Sequence, residues 1–284
     1  MTPTVAIVAP GNMGAAVGRR LVEHGVTVLT ILAGRSDASA TRARAAGMTA
    51  VEPSRLGEAE LVLSILPPGE ALGVAEQIMG WIAATTVAAG RQKPVFVDCN
   101  AVSPETVGRI GALVSGAGVR FIDAAIIGLP PKAGERGPRF YASGPVAGLL
   151  GKLSQYGLDV RVLEGPLGAA SALKMCYAGI NKGIAALAAA MILAAERSGA
   201  TAALHQEMSE SLPELLKTLR RQVPEMLPKA YRWVAEMEEI AAFTGETGAA
   251  REVFLGFAEL FGGIARDVAG EQRDSGVLKG FFER

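Results

Sequence analysis

The sequence predicts an α/β protein, with a doubly wound, mostly parallel sheet at the amino terminus and an all-helical region after it. Three observations predict this. An apolar run, TVAIV (4–8), leads into the Gly-rich turn APGNMG and then into a helix-like segment ending near Gly25. Strand-like and helix-like segments then alternate through about residue 165, the pattern of a parallel sheet covered on both faces. After residue 166 no strand pattern is evident, and amphipathic segments follow one another. A Rossmann-type dinucleotide-binding domain is therefore expected over 1–165, and an all-helical domain over 166–284.

Composition narrows the function. The 284 residues are half hydrophobic, and Lys+Arg and Asp+Glu balance at 28 each. That balance points to neither nucleic acid nor an anionic membrane as partner. The longest uncharged apolar run, 183–195, is shorter than the ~20 residues a membrane span needs. The amino terminus has no signal-type pattern, and two cysteines, Cys99 and Cys176, are too few for a disulfide scaffold. A reducing cytoplasm is the expectation. His24 and His205 are far apart and away from any Cys or carboxylate cluster, so no metal site is expected.

Taken in order, the first turn has Ala9 and Pro10 where a dinucleotide fingerprint has its first glycine, then Gly11 and Gly14 at the second and third positions. Gly11 would let the backbone approach a pyrophosphate, and Gly14 would let the helix pack on the strand. The helix amino terminus, with Asn12 and Met13, would face the phosphates. His24, in the last turn, suits the negative end of the helix dipole. The second strand, VTVLTIL (26–32), ends in Gly34, Arg35 and Ser36 rather than in an acid. A guanidinium and a hydroxyl suit a ribose 2′-phosphate, with Arg42 as a second cation, so NADP is the expected cofactor. A solvated loop arginine is the plainer alternative. Asp37, before an Ala-rich helix, fits an N-cap.

A short strand at 48–51 and the run ELVLSILPP (60–68) follow, with Leu66 and Pro67 expected to line the cofactor site. Helix-like sequence covers roughly 70–89. PVFVDCN (94–100) is the next strand, after which Ser103 caps and Pro104 opens a helix. VRFIDAAIIG (119–128) leads to a loop carrying Lys132 and Arg136, with Arg139 just beyond, and RFYASGP and LDVRVLEG read as two more strands.

From about Pro166 to Gly199 the chain reads as one long helix, rich in Ala, Leu, Met and Ile and ended by glycine. Ser171, Lys174 and Asn181 share a face with Ala178 and Ala185. Burial lowers a lysine's pKa and makes it a usable proton donor and acceptor. The alternative is a stem lying along the helix with its head in water. Amphipathic segments separated by Pro224, Pro228, Gly245 and Gly248 complete the chain. The Glu236–Glu239 cluster reads as a solvated face, and the end, EQRDSGVLKGFFER, carries no signal.

In this order the motifs resemble the β-hydroxyacid dehydrogenases and 6-phosphogluconate dehydrogenase, especially a bacterial branch with its own helical carboxyl-terminal domain. Four motifs carry the resemblance over nearly the whole length: APGNMG; DCNAVSP (98–104), similar to D-x-S-T-x-x-P with Asn100 in the Ser place; DAAIIG (123–128), like D-A-P-V-S-G; and ALKMCYAGINKG (172–183), like the helix of the family's catalytic lysine. The resemblance implies that Lys174 is catalytic and that the substrate lies between the domains. It also implies that Asn100, Ala101 and the Gly128 turn line the cleft. Two departures matter. The family's Asn four residues after the lysine is Ala178 here, and the decarboxylating enzyme's Glu seven residues after it is Asn181. The substrate is therefore not assumed to be phosphogluconate or hydroxyisobutyrate. Imine reductases share the architecture but lack the lysine. Cys99 and Cys176 are taken as small apolar fillers.

The reading that follows is an NADP(H)-dependent oxidoreductase interconverting a small hydroxy acid and its keto form, with Lys174 as general acid and base. Ser171 and Asn181 would orient the substrate, and Lys132, Arg136 or Arg139 would meet its acid group. Decarboxylation is not expected, because the Asn181 amide cannot supply a proton. A ketone or imine reductase, or a non-catalytic NADPH-binding protein, are the alternatives. Gly179, Gly183 and the alanines between Ala185 and Ala195 leave the long helix thin enough for close approach. With the resemblance, this implies a homodimer.

Overall fold

The computed structural model describes residues 2–85, 92–132, 134–135 and 137–284. It divides into two compact units, Met1–Lys174 and Met175–Arg284. The first unit runs β1 (Thr4–Ile7), α1 (Asn12–Glu23), β2 (Thr27–Thr30), α2 (Asp37–Ala45), β3 (Thr49–Ala50) and β4 (Leu61–Ser64). It continues with α3 (Ala71–Ala84), β5 (Val95–Asp98), α4 (Pro104–Gly116), β6 (Arg120–Ile127), β7 (Arg139–Ser143), α5 (Gly148–Gly151) and β8 (Asp159–Val162). The strands form one sheet in the order β3-β2-β1-β4-β5-β6-β7-β8. Every pairing is parallel except β6 with β7.

Both faces of this sheet are covered, and that explains the unbroken apolar runs. Val5 and Ile7 of β1 point into one core with Val17 and Leu21 of α1. Ala6 and Val8 point into the other, with Ile78 and Ile82 of α3 and Val107 and Ile110 of α4. The chain order reverses between β1 and β4, which opens a crevice at the carboxyl edge of the sheet, where such folds bind ligands.

Local differences have local causes. The cap of α2 is Ser36, whose Oγ accepts from the Ser39 amide at 3.3 Å, and Asp37 is the first helical residue rather than the cap. Ser103 caps α4 on Thr106, with Pro104 in the first turn. The helix expected over 70–89 is described as α3 to Ala84, and residues 86–91 lie outside the described residues.

α6 (Ala169–Arg197) starts in the first unit and continues into the second, so the division falls nine residues later than the one drawn at 165. By length and apolarity, 29 residues with a mean hydropathy of 1.6 over its best window, α6 could cross a membrane. Lys182, at the middle of the helix, and Glu196, at its end, bound the shorter uncharged run of the sequence. Met175, Ala186, Ala189, Ile192 and Leu193 of this helix lie in the core of the second unit. The other elements there are α7 (Thr201–Ser211), α8 (Pro213–Met226), α9 (Ala230–Thr244), α10 (Ala249–Ala269) and α11 (Arg273–Phe282).

Pro213, not Pro224, marks the break between α7 and α8; Pro224 sits inside α8. The chain end without signal forms α11, which buries Leu278, Phe281 and Phe282. Glu236 is not simply solvated, because it pairs with Lys182 of α6, whose ammonium stands 5.1 Å from the Trp233 ring. The small face of α6 is used inside this unit: a Cβ at Gly179 would meet Phe254 at 3.1 Å, and one at Gly183 would meet Phe257 at 3.2 Å.

Candidate functional site

A row of polar side chains crosses the sheet at the carboxyl edge. Strand register pairs Ser64 with Asp98, Asp98 with Asp123, and Asp123 with Ser143, across β4, β5, β6 and β7. Paired residues share a face, and all four are buried. Asn100 closes one end of the row. Its Nδ2 donates to Asp98 Oδ1 and, at 3.0 Å, to Ser64 Oγ, while its Oδ1 accepts from the Leu66 amide at 2.6 Å.

The other end holds a helix. Asp123 Oδ2 accepts from Ser143 Oγ at 2.8 Å and from the amides of Ala170 and Ser171 at 3.1 Å each; its Oδ1 accepts from Ser171 Oγ at 2.6 Å. The first amides of a helix have no intrahelical acceptor, and a carboxylate there also meets the positive end of the dipole. Asp123 thus caps α6 from a strand, and Lys174 follows Ser171 by one turn. Lys174 is half-buried. Burial lowers its pKa from the ordinary lysine value, and the nearby Cys99, Asp98 and Asp123 act in the opposite direction. Burial, reinforced by Asp123, pushes the Asp98 carboxyl up to about 7, against the bond from Asn100 and the charge of Lys174. The buried Cys99 thiol is pushed well above its ordinary value by burial and then by Asp98.

The residues expected to hold a dinucleotide fit one. Gly11 precedes α1 with no side-chain cap on the helix, and nothing stands within 4 Å of where its Cβ would be. Open space over uncapped amides, with Asn12 and Met13 in the first turn, is a cradle for a pyrophosphate. At Gly14 a Cβ would collide with the Ala9 carbonyl oxygen, so only glycine lets α1 pack on β1 here. A cavity of about 270 Å³ lies beside them, lined by Val8, Ile31, Gly34, Arg35, Val74 and Trp81 among others. The Arg35 guanidinium stands 3.9 Å from Glu70, an acid brought in from the segment before α3. Arg42 donates to the Pro10 carbonyl at 3.1 Å and to Ser39 Oγ at 3.0 Å, tying α2 to the turn. Leu66 is half-buried and Pro67 exposed at the end of β4. A larger cavity, about 530 Å³, lies at the opposite, amino-terminal edge of the sheet and touches none of these residues.

The structure brings Lys174, Asn100 and Ser171 together around the two aspartates, but it changes two roles. The Ser171 hydroxyl is buried and given to Asp123, so it anchors the helix instead of orienting a substrate. Asn100 is likewise buried with its amide groups engaged by Asp98, Ser64 and Leu66, which makes it a clip between strands. Ala101 is half-buried beside it. Gly128 is exposed at the end of β6 with φ +130, where a Cβ would press on Pro138. Asn181 belongs to the second unit, where its Oδ1 accepts from Gln222 Nε2 at 2.6 Å. Lys132 is exposed and faces Glu135 at 3.7 Å, Arg139 is exposed on β7, and Arg136 lies outside the described residues. Cys99 is a buried filler, but Cys176 is exposed and fills nothing.

Sequence reasoning missed Asp98 and Asp123 as functional side chains, and with them Ser64 and Ser143. The available signal was a lone acid in each of two successive apolar strands, VFVD and RFIDAAII. It also missed Arg20, which donates to the carbonyls of Lys132 and Glu135 and ties that loop to α1.

Comparison with known proteins gives two family matches. Residues 4–149 match the NAD binding domain of 6-phosphogluconate dehydrogenase, and residues 195–264 match a domain of unknown function, DUF1932. The conserved protein MTH1747, of unknown function and structurally similar to 3-hydroxyacid dehydrogenases, superposes with TM-score 0.74 at 27% identity, covering 93% of this chain and 99% of that one. The Mycobacterium tuberculosis 3-hydroxyisobutyrate dehydrogenase, solved with L-serine, superposes with TM-score 0.74 at 21% identity over 99% of each chain. In sequence, a probable 3-hydroxyisobutyrate dehydrogenase of Mycobacterium bovis is 27% identical over 125 residues, which span 44% of this chain and only 40% of that protein.

Proposed function

We infer the reaction from one premise: the chain belongs to the family of the 6-phosphogluconate dehydrogenase NAD-binding domain, the β-hydroxyacid dehydrogenases. It is a nicotinamide-dependent oxidoreductase, and it interconverts a small hydroxy acid and its keto form. The observation that carries this reading is Lys174, held one turn into a helix capped by Asp123, with burial lowering its pKa. The cofactor, when bound, takes up or gives the hydride. In oxidation neutral Lys174 takes the hydroxyl proton as hydride leaves the carbinol carbon, and in reduction its ammonium returns that proton. Such positioned acid–base catalysis contributes roughly 100- to 10,000-fold. The L-serine in the similar dehydrogenase supports a small hydroxy acid as the substrate class.

NADP is the preferred form, on the strength of Arg35 beside the cavity and of the absence of an acid at the end of β2. The product keeps its carboxyl group. By the resemblance, Asn181 takes the sequence place of the decarboxylating enzyme's proton donor, and a carboxamide does not deliver protons near neutral pH. The protein works as a homodimer in a reducing cytoplasm, a reading supported by its exposed α6 face and its two free cysteines.

The test is Lys174→Met, which keeps the helix and most of the volume. Folding and NADPH binding survive while turnover of a panel of 3-hydroxy acids, keto acids, ketones and imines collapses. Retention of more than about a tenth of kcat contradicts the role. CO2 released stoichiometrically per NADPH formed overturns the reading on decarboxylation.

A further inference from the structure

We propose that Asp98 is a positioning residue for Lys174: its free Oδ2 receives the lysine ammonium each time Nζ takes up the hydroxyl proton. The proposal rests on the reading of Lys174 as the group that moves that proton, and it is carried by what surrounds the two registered carboxylates. Asp123 has both oxygens engaged by four donors from Ser143, Ala170 and Ser171. It is a saturated structural anion with nothing left to offer. Asp98 is as deeply buried, yet only its Oδ1 is bonded; Oδ2 has no partner among the described residues. A buried carboxylate oxygen left without a donor is costly, so a fold that keeps one needs a partner that arrives.

The geometry of the bonded side makes the vacancy directional. The Leu66 amide holds the Asn100 carbonyl oxygen, and Ser64 shares its Nδ2, so Asn100 presents nitrogen and not oxygen to Asp98. That clip fixes the carboxylate plane and leaves Oδ2 as the one acceptor unspent. The titratable groups near Asp98 are Cys99, the next residue after β5, Asp123 on β6 and Lys174 on α6, while Ser64 faces it from β4. The buried Cys99 thiol stays neutral near pH 7, because burial raises its pKa. Among the described residues Lys174 is therefore the one cation coupled to Asp98, and it makes no ion pair with it.

The step balances. The hydroxyl O–H bond breaks, its proton goes to the Nζ lone pair, the C=O bond forms, and the hydride leaves for the nicotinamide. Above about pH 7, where Asp98 is ionised, the ammonium so formed faces its carboxylate, and the pair is neutral overall. In reduction the same pair gives the proton back to oxygen. Without the Asp98 charge the half-buried ammonium is left unpaired, and it loses its proton at lower pH.

The experiment follows Lys174 directly, without turnover. Protein labelled with [ε-13C]lysine is titrated by NMR, and the Lys174 signal is the one missing from Lys174→Met. In Asp98→Asn, which keeps an oxygen for Asn100, the Lys174 midpoint falls by at least ~1 pH unit, a tenfold change in its protonation equilibrium. The pH profile of kcat moves the same way, while NADPH affinity is unchanged. Coupling is reciprocal, so in Lys174→Met the Asp98 carboxyl, followed with [γ-13C]aspartate, titrates at higher pH by a similar amount. This second measurement stands even where Asp98→Asn does not fold. An unmoved Asp98 midpoint in Lys174→Met overturns the proposal. So does an unmoved Lys174 midpoint in folded Asp98→Asn. If turnover is nonetheless lost in Lys174→Met, the reading of Lys174 survives; turnover that persists overturns both.

Discussion

If NADP is the cofactor, as proposed, Glu70 competes with its 2′-phosphate for Arg35. The pair stands at 3.9 Å, with the glutamate side chain 53% exposed. An exposed pair of this kind contributes only ~0–1 kcal/mol to stability, but its carboxylate also repels a dianionic 2′-phosphate arriving at the same guanidinium. Glu70→Gln is expected to tighten NADP several-fold and leave NAD nearly unchanged, whereas Arg35→Ala weakens NADP alone. Titration of both cofactors against the three proteins checks this, and equal affinities for NAD and NADP in the unmutated chain refute it. Asp98 gives a second residue-scale expectation. Its carboxyl is raised to about 7 in the folded state, so the folded chain holds a proton there that the unfolded chain has released. The stability this proton confers is fully present below the ordinary carboxylate range and is lost as pH rises through about 7. The unfolding temperature should therefore drop between pH 5 and pH 8, and Asp98→Asn should flatten that drop. Parallel curves for the two proteins would show that Asp98 does not titrate there.

At the scale of elements, the start of α6 depends on side chains far away in sequence. Ser171→Ala removes one hydroxyl bond to a buried carboxylate and is expected to cost about 1.5–3 kcal/mol. Asp123→Ala strips the acceptor from two amides and two hydroxyls at once and should cost clearly more. Denaturant unfolding of both variants measures the difference, and equal losses contradict the capping role. This element also shows what can be read from sequence and what cannot. The helix itself was legible, since Ala, Leu and Met fill it without a proline. Its cap was not, because cap rules look at adjacent residues and this acceptor lies 47 and 48 positions upstream. The buried strands were legible because coverage on both faces removes the polar alternation. Lys174 and the glycine turn could be found for a similar reason, each being a local exception in an apolar stretch. Asn100 and Ser171 could be located but not understood. Their donors are spent on Asp98 and Asp123, and those partnerships exist only once the strands are in register.

At the scale of the whole molecule, the face of α6 that sequence reasoning assigned to a second copy is already occupied. Gly179 and Gly183 receive Phe254 and Phe257 within the helical unit, and Ala185, Ala186 and Ala189 are buried. What α6 leaves exposed is a different face, made of large apolar side chains: Tyr177, Ile180, Ile184, Leu187 and Met191, with Ile180 66% and Leu187 56% exposed. Their spacing alternates three and four residues, the a/d pattern by which helices pair along a seam. The stripe covers about 21 Å of helix at ~1.5 Å per residue. An apolar stripe of this length left in water is unusual for a monomer. A second copy is the simplest cover, because a two-fold axis places the same stripe opposite itself and needs no other complementary surface. Neither Lys nor Arg nor an acid interrupts those five positions, so two copies meet there without burying a charge. We therefore expect a homodimer through this seam. Light scattering at micromolar concentration should give twice the 29.3 kDa chain mass, and Ile180→Glu with Leu187→Glu should give the single-chain mass with the fold intact by circular dichroism. The two added carboxylates per chain meet those of the other copy across a two-fold seam centred on the stripe, so the loss should be near complete rather than partial. A monomer mass for the unmutated chain removes the dimer altogether. A dimer that survives the double substitution places the interface on another surface and leaves the α6 stripe without a partner.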